Sequence, residues 1–375
     1  MIIPVSRPKI GEAEFKYVNN ALSENAISGI YGEYIPEFER EFANFCDAKY
    51  AISCSNGTAA LHLGLTAAGI KSGDEVLVST LTNMATFFAV LYIGAKPVPI
   101  DIDPITLNID PKQLEAKISS STKAILVVHL FGHPCDMDPI IEIAKKNNLL
   151  VIEDCAEAHG ALYKGKKVGA IGDVGCFSFF ANKIITTGEG GIVTTNNEVI
   201  ANKARSLKAL AFGVKNKFMH QDLGFNYRMT NIQAAIGCGQ MERADELVAK
   251  RRYVADFYSK RLKKYSEYLA LPVELSYAKN SYWMYHIVIK KPYSQIREQL
   301  MNSLRNYGVE TREGFVPANL QEIFIKAGWT KPEDCTNANS VAYSTFYLPS
   351  GPDISDDELH YVCEKFDLSI NSLLI

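Results

Sequence analysis

Short, nearly continuous apolar runs rich in Val and Ile recur through the first half of the chain. They lie at residues 51–55, 75–80, 96–102, 123–130, 149–155, 174–180 and 191–195. Stretches with helical periodicity separate several of them, at residues 57–69, 84–93, 111–119 and 136–147. Strands that are apolar along their whole length are buried on both faces, and parallel strands need helical connections. The pattern therefore predicts an α/β fold with a mostly parallel, mixed sheet.

A different pattern follows in the second half of the chain. A long amphipathic stretch at residues 242–265 predicts a connector helix, and the residues beyond it, with strands near 270–290, predict a compact α+β unit. A chain of 375 residues is long enough for two domains. We therefore expect a large α/β domain over residues 1–250 and a smaller C-terminal α+β domain over residues 251–375.

Composition and charge argue against several classes of protein. The net charge of −3 and the lack of a basic cluster argue against nucleic-acid binding. The longest apolar run is broken by Gly94, Lys96 and Pro97, so it does not predict a membrane span. The N-terminus lacks the layout of a signal peptide, and the 8 cysteines show no CxxC spacing. We expect a cytoplasmic enzyme with reduced thiols and no metal site.

The first candidate site follows the apolar run at residues 51–55. Asn56, Gly57 and Thr58 come next, and a helical pattern begins there. The free N–H groups at the start of a helix attract anions, and a glycine allows a phosphate to come close to the backbone. An ordinary helix cap is the alternative interpretation of the same residues.

Two ionisable residues follow other apolar runs at what should be the same edge of the sheet. Asp154 ends one strand, and a buried carboxylate there needs a partner, either a cationic ring nitrogen or a structural arginine. Lys183 lies in the break between two apolar strands, where it is either paired in the core or used chemically. Ser178 could add a hydroxyl to the phosphate site. A phosphate site at a helix start, a buried aspartate and a lysine on a turn together indicate pyridoxal 5′-phosphate (PLP). Lys183 is then the residue that bonds to the cofactor.

The order of four segments also resembles a known family. These segments are SNGTAALHLGL, VIEDCAEAHG, GDVGCFSFFANKIITTGEGG and LGFNYRMTNIQAAIG. They are similar to those of the DegT/DnrJ/EryC1/StrS sugar aminotransferases, and the resemblance covers nearly the whole chain. It implies an aspartate-aminotransferase-like fold (PLP fold type I). Within the family, HLFGHPCDMDPI and the NKIITTGEGG form of the lysine turn are similar to segments of the perosamine-forming enzymes.

The resemblance also implies roles for individual residues. Lys183 would bond to PLP, and Asp154 would hold the pyridine nitrogen protonated. The phosphate would be held by Gly57, Thr58 and Ser178, and by Asn226 of a neighbouring subunit, which makes the expected unit a homodimer with shared active sites. Glu157 occupies a position often held by glutamine, near the pyridine hydroxyl. From the residues themselves, Asn83, His220, Arg312 and Asn319 are candidate substrate contacts, and the alternative for Arg312 is a surface ion pair with Glu313.

Departures from the family pattern concern the substrate pocket. Asn83 stands where relatives have an aromatic residue that stacks on the pyridine ring, and Phe87 or Phe88 could compensate. Asn319 replaces an expected histidine. Trp283 lies in an aromatic cluster that we assign to the core of the small domain.

The implied reaction converts a ketosugar to an aminosugar, with glutamate as the expected amino donor. A nucleotide-linked 4-keto-6-deoxysugar of the perosamine type is favoured, for a cell-surface polysaccharide such as the O-antigen of lipopolysaccharide. The alternative substrate is a nucleotide-free ketosugar acid such as 8-dehydro-Kdo. A regulator that binds the cofactor without turnover is disfavoured because it would not need Lys183. A nicotinamide dehydrogenase is disfavoured because no GxGxxG follows the first strand.

Overall fold

The apolar runs of the first half form one seven-stranded sheet in the computed structural model, which describes residues 2–374. Its strands are β1 (Tyr50–Cys54), β2 (Glu75–Ser79), β3 (Lys96–Ile100), β4 (Thr122–Val128), β5 (Leu150–Asp154), β8 (Val174–Ser178) and β9 (Gly191–Thr195). The strand order is β1-β9-β8-β5-β4-β2-β3. β9 runs antiparallel to both of its neighbours, and the other pairs are parallel. The predicted mixed, mostly parallel sheet is confirmed.

Helices surround this sheet and continue into the second half of the chain. They are α1 (Glu12–Ser23), α2 (Tyr34–Phe45), α3 (Gly57–Ala67), α4 (Ala85–Tyr92), α5 (Met137–Asn147), α6 (Glu198–Leu207), α7 (Asn231–Met241), α8 (Ala244–Leu262), α9 (Arg297–Asn306), α10 (Glu322–Lys326), α11 (Thr336–Val341) and α12 (Asp356–Leu374). None of the helices among the described residues combines the length and the apolar character needed to cross a membrane.

The helix predicted at residues 111–119 is wrong. The segment forms two short 3₁₀ turns, Pro111–Gln113 and Glu115–Lys117. Leu114 is its one fully buried residue, so the segment has no apolar face whose packing would stabilise a full helix.

Two smaller sheets complete the fold. The first is antiparallel, in the order β10 (Leu269–Ala270), β12 (Tyr285–Ile289), β14 (Thr345–Leu348), β13 (Arg312–Glu313). The second joins β11 (Ala278–Lys279) to the hairpin of β6 (Leu162–Tyr163) and β7 (Lys166–Lys167). The second half of the chain thus supplies its own sheet and also a short strand that pairs with the first half.

The long helix α8 contributes to two buried clusters. Leu247 packs in the core of the large sheet, whereas Val254 and Tyr258 pack in a second core with β12 and α12. Ile3 also packs in this second core, although it lies in the range predicted for the large domain. The domain boundary at residue 250 stays a prediction, and it falls inside α8.

A buried carboxylate fastens the loop before β8 to the sheet. Glu153 accepts hydrogen bonds from the N–H groups of Gly169, Ile171 and Gly172, at 2.7–2.9 Å. Its Oε2 also lies 3.0 Å from Nε2 of His129. Nδ1 of the same histidine accepts from the N–H of Cys135, which leaves the proton on Nε2. Three backbone N–H groups of the loop therefore share this one side chain as their acceptor.

We expect Glu153→Leu to lower the free energy of unfolding by about 3–5 kcal/mol, because it leaves buried N–H groups without an acceptor. Glu153→Gln is the matched control, since its amide oxygen still accepts, and it should cost less. Urea unfolding followed by circular dichroism measures both values. Equal stability of Glu153→Leu and the parent protein would contradict this account.

Candidate active site

A cavity of about 720 Å³ opens at the carboxyl ends of the strands in the large sheet. Its wall contains six of the predicted cofactor residues, namely Gly57, Thr58, Asp154, Glu157, Ser178 and Lys183. These residues come from three separate segments of the chain. Open α/β sheets bind ligands at this edge because the strand ends and helix starts meet there.

The first part of the wall is the amino end of α3. Asn56 caps the helix, and its Oδ1 accepts from the N–H of Ala59 at 2.8 Å. The N–H groups of Gly57 and Thr58 lie in the first turn and have no acceptor within the helix. A Cβ at Gly57 would lie 2.6 Å from Cβ of Ser178, so only glycine allows this hydroxyl to come so close to the helix start. The arrangement is suited to a phosphate group.

The second part is Asp154, the last residue of β5. Its Oδ2 accepts from Oγ1 of Thr86 at 2.8 Å, and its Oδ1 accepts from the N–H of Ala156 at 3.1 Å. Burial raises the pKa of Asp154, and these two hydrogen bonds lower it in part. A carboxylate in this position favours a cationic group in the cavity beside it.

The third part is the turn that carries Lys183. The N–H of Lys183 donates to the carbonyl of Phe180, and its Nζ lies 3.9 Å from the centroid of the Trp283 ring. Burial lowers the pKa of Lys183, against the opposing charges of Glu157 and Asp154. Gly188 follows with φ +80°, a conformation that favours glycine at this tight turn.

Glu157 lies between these groups. It is buried, and its Oε2 accepts from the N–H of Phe131 at 2.8 Å. Burial raises the pKa of Glu157 to about 7, so that its carboxyl is partly protonated at neutral pH. A protonated carboxyl can donate a hydrogen bond as a glutamine amide does.

This set of groups fits PLP. The helix start and the Ser178 hydroxyl provide donors for a phosphate, the carboxylate of Asp154 suits a protonated ring nitrogen, and the amine of Lys183 suits an aldehyde. Because Gly57 has no Cβ, the Ser178 hydroxyl lies beside the helix start, so these donors can face one phosphate.

The predicted substrate residues fall into two groups. Asn83 and Arg312 lie on the cavity wall. Arg312 is exposed, and its Nη2 lies 3.4 Å from Glu310, whereas the nearby Glu313 pairs with Arg297 instead. Arg312 therefore lies on the cavity wall with Glu310, not Glu313, as its ion-pair partner.

Asn319 requires a correction, because it does not reach the cavity wall. It is fully buried and donates its amide to Pro332 and Asn339, while its Oδ1 accepts from Thr80. Its amide nitrogen and its amide oxygen both have partners inside the fold, so its place is structural.

Two further predicted residues lie on an exposed loop between α6 and α7. His220 contacts the carbonyl of Leu210 through Nδ1 at 2.9 Å, and Asn226 accepts from Nη2 of Arg228 at 2.7 Å. Neither side chain lines the cavity of its own chain.

The aromatic residues of the site differ from those expected. Phe87 and Phe88 pack against Phe324 and do not line the cavity. Trp283, assigned to the core from the sequence, lines the cavity instead and contacts Lys183. Tyr347 from the small sheet, Phe315 just after β13, and Tyr227 near α7 also lie on the wall. No sequence signal connected these residues to Lys183, since they lie far from it along the chain.

Comparisons with known proteins agree with this geometry. Residues 8–367 match the DegT/DnrJ/EryC1/StrS aminotransferase family. The chain is 42% identical to GDP-perosamine synthase of Escherichia coli, over 97% of this chain and 98% of that protein. It is 37% identical to GDP-perosamine synthase of Vibrio cholerae, over 96% of this chain and 97% of that protein.

Solved structures give the same result. The aminotransferase from Psychrobacter cryohalolentis superimposes with a TM-score of 0.90 and 34% identity, over 98% of this chain and 99% of that chain. A Streptococcus pneumoniae protein described provisionally as a sugar aminotransferase, solved in its PLP-form, superimposes with a TM-score of 0.94 and 26% identity, over 100% of both chains. The PLP fold type I prediction is therefore confirmed, and the chain belongs to the DegT/DnrJ/EryC1/StrS aminotransferase family.

Proposed function

We propose that the enzyme transfers an amino group from glutamate to a nucleotide-linked 4-keto-6-deoxysugar, for the biosynthesis of a cell-surface polysaccharide. As a member of its family the chain is a PLP-dependent sugar aminotransferase. The observation that carries the proposal is the meeting of Asp154, Lys183 and the start of α3 in one cavity. The substrate is proposed from the GDP-perosamine synthases, which are 42% identical over 365 residues.

Lys183 is the proposed catalytic residue. When bound, PLP supplies an aldehyde that receives the amino group and a ring that withdraws electrons. The lowered pKa of Lys183 increases the share of neutral amine at Nζ, which can accept a proton from the donor carbon. The same Nζ can return a proton at the carbon of the sugar. Because the two substrates use one cavity in turn, we expect ping-pong kinetics.

Asp154 is the proposed partner of the cofactor's ring nitrogen. Its carboxylate keeps that nitrogen protonated, and Thr86 and Ala156 hold its two oxygens in place. Gly57, Thr58 and Ser178 would bind the phosphate, and Glu157 would lie near the pyridine hydroxyl.

We also propose a homodimer with shared sites. Asn226 is exposed on its own chain, and it lies on a loop whose apolar side chains are open to solvent. Phe218 is 75% exposed and Leu223 is 86% exposed, as is Ile30 on a second loop at 84%. A second copy of the chain that covers these side chains would bring Asn226 to its phosphate site.

The choice between this substrate and the alternative, a ketosugar acid without a nucleotide, depends on what Arg312 binds. Its exposed guanidinium on the cavity wall could bind a carboxylate or a diphosphate with equal ease. The cytoplasm is the proposed location, because all eight cysteines are buried free thiols.

A panel of ketosugars, each incubated with glutamate and PLP and analysed by mass spectrometry, tests the substrate. We expect amination of a nucleotide-linked 4-keto-6-deoxysugar and none of 8-dehydro-Kdo. Lys183→Ala is the matched control and should give no product with any sugar. Amination of the ketosugar acid alone would overturn the nucleotide-sugar proposal while leaving the aminotransferase reaction in place.

Asp154→Asn should lower kcat by two to three orders of magnitude. Loss of a charge-assisted contact in a dry site costs roughly 2–5 kcal/mol, and each 1.36 kcal/mol is about tenfold in rate. Asp173→Asn is the control, because Asp173 accepts a backbone hydrogen bond from Val151 away from the cavity. Steady-state kinetics with saturating PLP measures both variants. Near-normal turnover of Asp154→Asn would refute the role of this residue.

Shared active sites predict complementation between two inactive variants. Lys183→Ala lacks the catalytic amine, and Asn226→Asp places a negative charge beside the phosphate. In a mixed dimer one site carries both defects and the other carries neither, so activity should return when the variants are mixed. Native mass spectrometry measures subunit exchange as the control. If the subunits exchange and no activity returns, the shared-site proposal fails.

A further inference from the structure

Arg251, on α8, is a buried cation without a carboxylate partner. It is 1% exposed, and no acidic side chain among the described residues lies within ion-pair distance. Nη1 donates to the carbonyls of Trp283 at 2.7 Å and Ser350 at 2.6 Å. Nη2 donates to the carbonyl of Asn182 at 3.1 Å and to Oγ of Ser6 at 3.3 Å. Burying a charge without a counter-ion is costly, so the acceptors around it need to be held firmly.

The carbonyl of Asn182 has a second donor. Nε1 of Trp283 donates to the same oxygen at 2.9 Å. Asn182 directly precedes Lys183. The backbone of the lysine turn is therefore held by two side chains, Arg251 from α8 and Trp283 from the segment before β12. We call this set of Arg251, Trp283 and the Asn182 carbonyl the turn clamp.

Trp283 is itself fixed in orientation. The backbone N–H of Trp283 donates to the carbonyl of Phe131 at 3.0 Å, and the backbone N–H of Tyr282 donates to Oδ1 of Asn280 at 2.7 Å. Tyr282 has φ 50° and Phe131 has φ 54°, in the left-handed region that non-glycine residues rarely adopt. Such conformations persist where the surrounding structure holds them, and they concentrate at functional sites. The indole therefore presents one face to the cavity.

Lys183 lies against that face, with Nζ 3.9 Å from the ring centroid. The negative face of an indole attracts an ammonium group. A clamp on the preceding carbonyl restrains the backbone of the turn but leaves the lysine side chain free to rotate. The side chain can then leave the indole for the cofactor and return to the same place.

We propose that Arg251 is a positioning residue for Lys183: with Trp283 it holds the Asn182 carbonyl and so fixes the backbone from which Nζ reaches the indole face and the cavity. The catalytic consequence rests on the proposed role of Lys183, whereas the position of Nζ can be measured without any reaction. The other ionisable groups near Lys183 are Asp154 and Glu157, which oppose the fall in its pKa, and His159, whose own pKa the lysine charge lowers. The charge of Arg251 opposes these two carboxyls and adds to burial in lowering the pKa of Lys183.

The position of Nζ can be read in the cofactor-free protein by fluorescence. The chain has 2 tryptophans, so Trp329→Phe leaves Trp283 as the single indole. Trp283 emission followed against pH should show a transition when the amine above it changes protonation. Lys183→Met in this background should remove the transition, which assigns it to Lys183.

Arg251→Met in the same background should lose most of this transition, because Nζ no longer stays at the indole. Arg251→Lys, which keeps a donor but not the two-armed guanidinium, should retain part of it. Lys250→Met is the matched control, since Lys250 lies next to Arg251 on α8 and pairs with Asp356 near the surface. It should leave the transition unchanged.

In the PLP-loaded enzyme, Arg251→Met should lower kcat about tenfold or more while KM for glutamate changes less than about twofold. The pH at which the visible absorption of the bound cofactor changes should move as well. If Arg251→Met lowers the melting temperature but leaves the emission transition, this absorption midpoint and kcat unchanged, Arg251 is structural and the proposal fails.

Trp283→Phe covers the case in which Arg251→Met does not fold. It retains an aromatic ring and Arg251 but removes the indole N–H from the turn clamp. We expect the same loss in kcat and the same movement of the absorption midpoint, and unchanged values overturn the proposal. A failure of the sugar assignment would not affect the emission results for Arg251→Met, because that fluorescence is measured without substrate or cofactor.

Discussion

The central constraint in this structure is the burial of two ionisable groups in one cavity without direct pairing between them. Asp154 and Lys183 both line the cavity, and burial shifts the pKa of each toward its neutral form. A fold tolerates such groups when a ligand of complementary charge occupies the space between them. The surrounding structure therefore has to keep both side chains in place and also leave room for a cationic ring.

The sheet order meets this requirement. β9 inserts between β1 and β8 and runs antiparallel to both, which returns the chain after the lysine turn beneath the start of α3. Ser178, at the end of β8, comes close to the backbone of Gly57 as a result. The phosphate end and the amine end of the site are thus coupled through one pair of strands, and a change in β8 or β9 would move both.

The second half of the chain closes the cavity and restrains its chemistry. Trp283, Phe315 and Tyr347 form an apolar wall that raises the cost of charge inside the site. Arg251 connects this wall to the lysine turn through backbone carbonyls. The helix α8, which packs in both buried cores, therefore contributes to the position of the amine as well as to the contact between the two halves of the chain.

The sequence by itself determined the α/β class, the strands of the large sheet and the residues that end them, because apolar periodicity and glycine-rich turns are local signals. It also pointed to Asp154, Lys183 and the start of α3, since polar residues after buried strands meet at one edge. Tertiary structure alone decided that Trp283 faces Lys183, that Arg251 holds the Asn182 carbonyl, and that Asn319 is structural. The contacts of Trp283 and Arg251 join residues about 70 to 100 positions apart along the chain. The hydrogen bonds of Asn319 lie inside the core. Contacts of these two kinds leave no local pattern in the sequence.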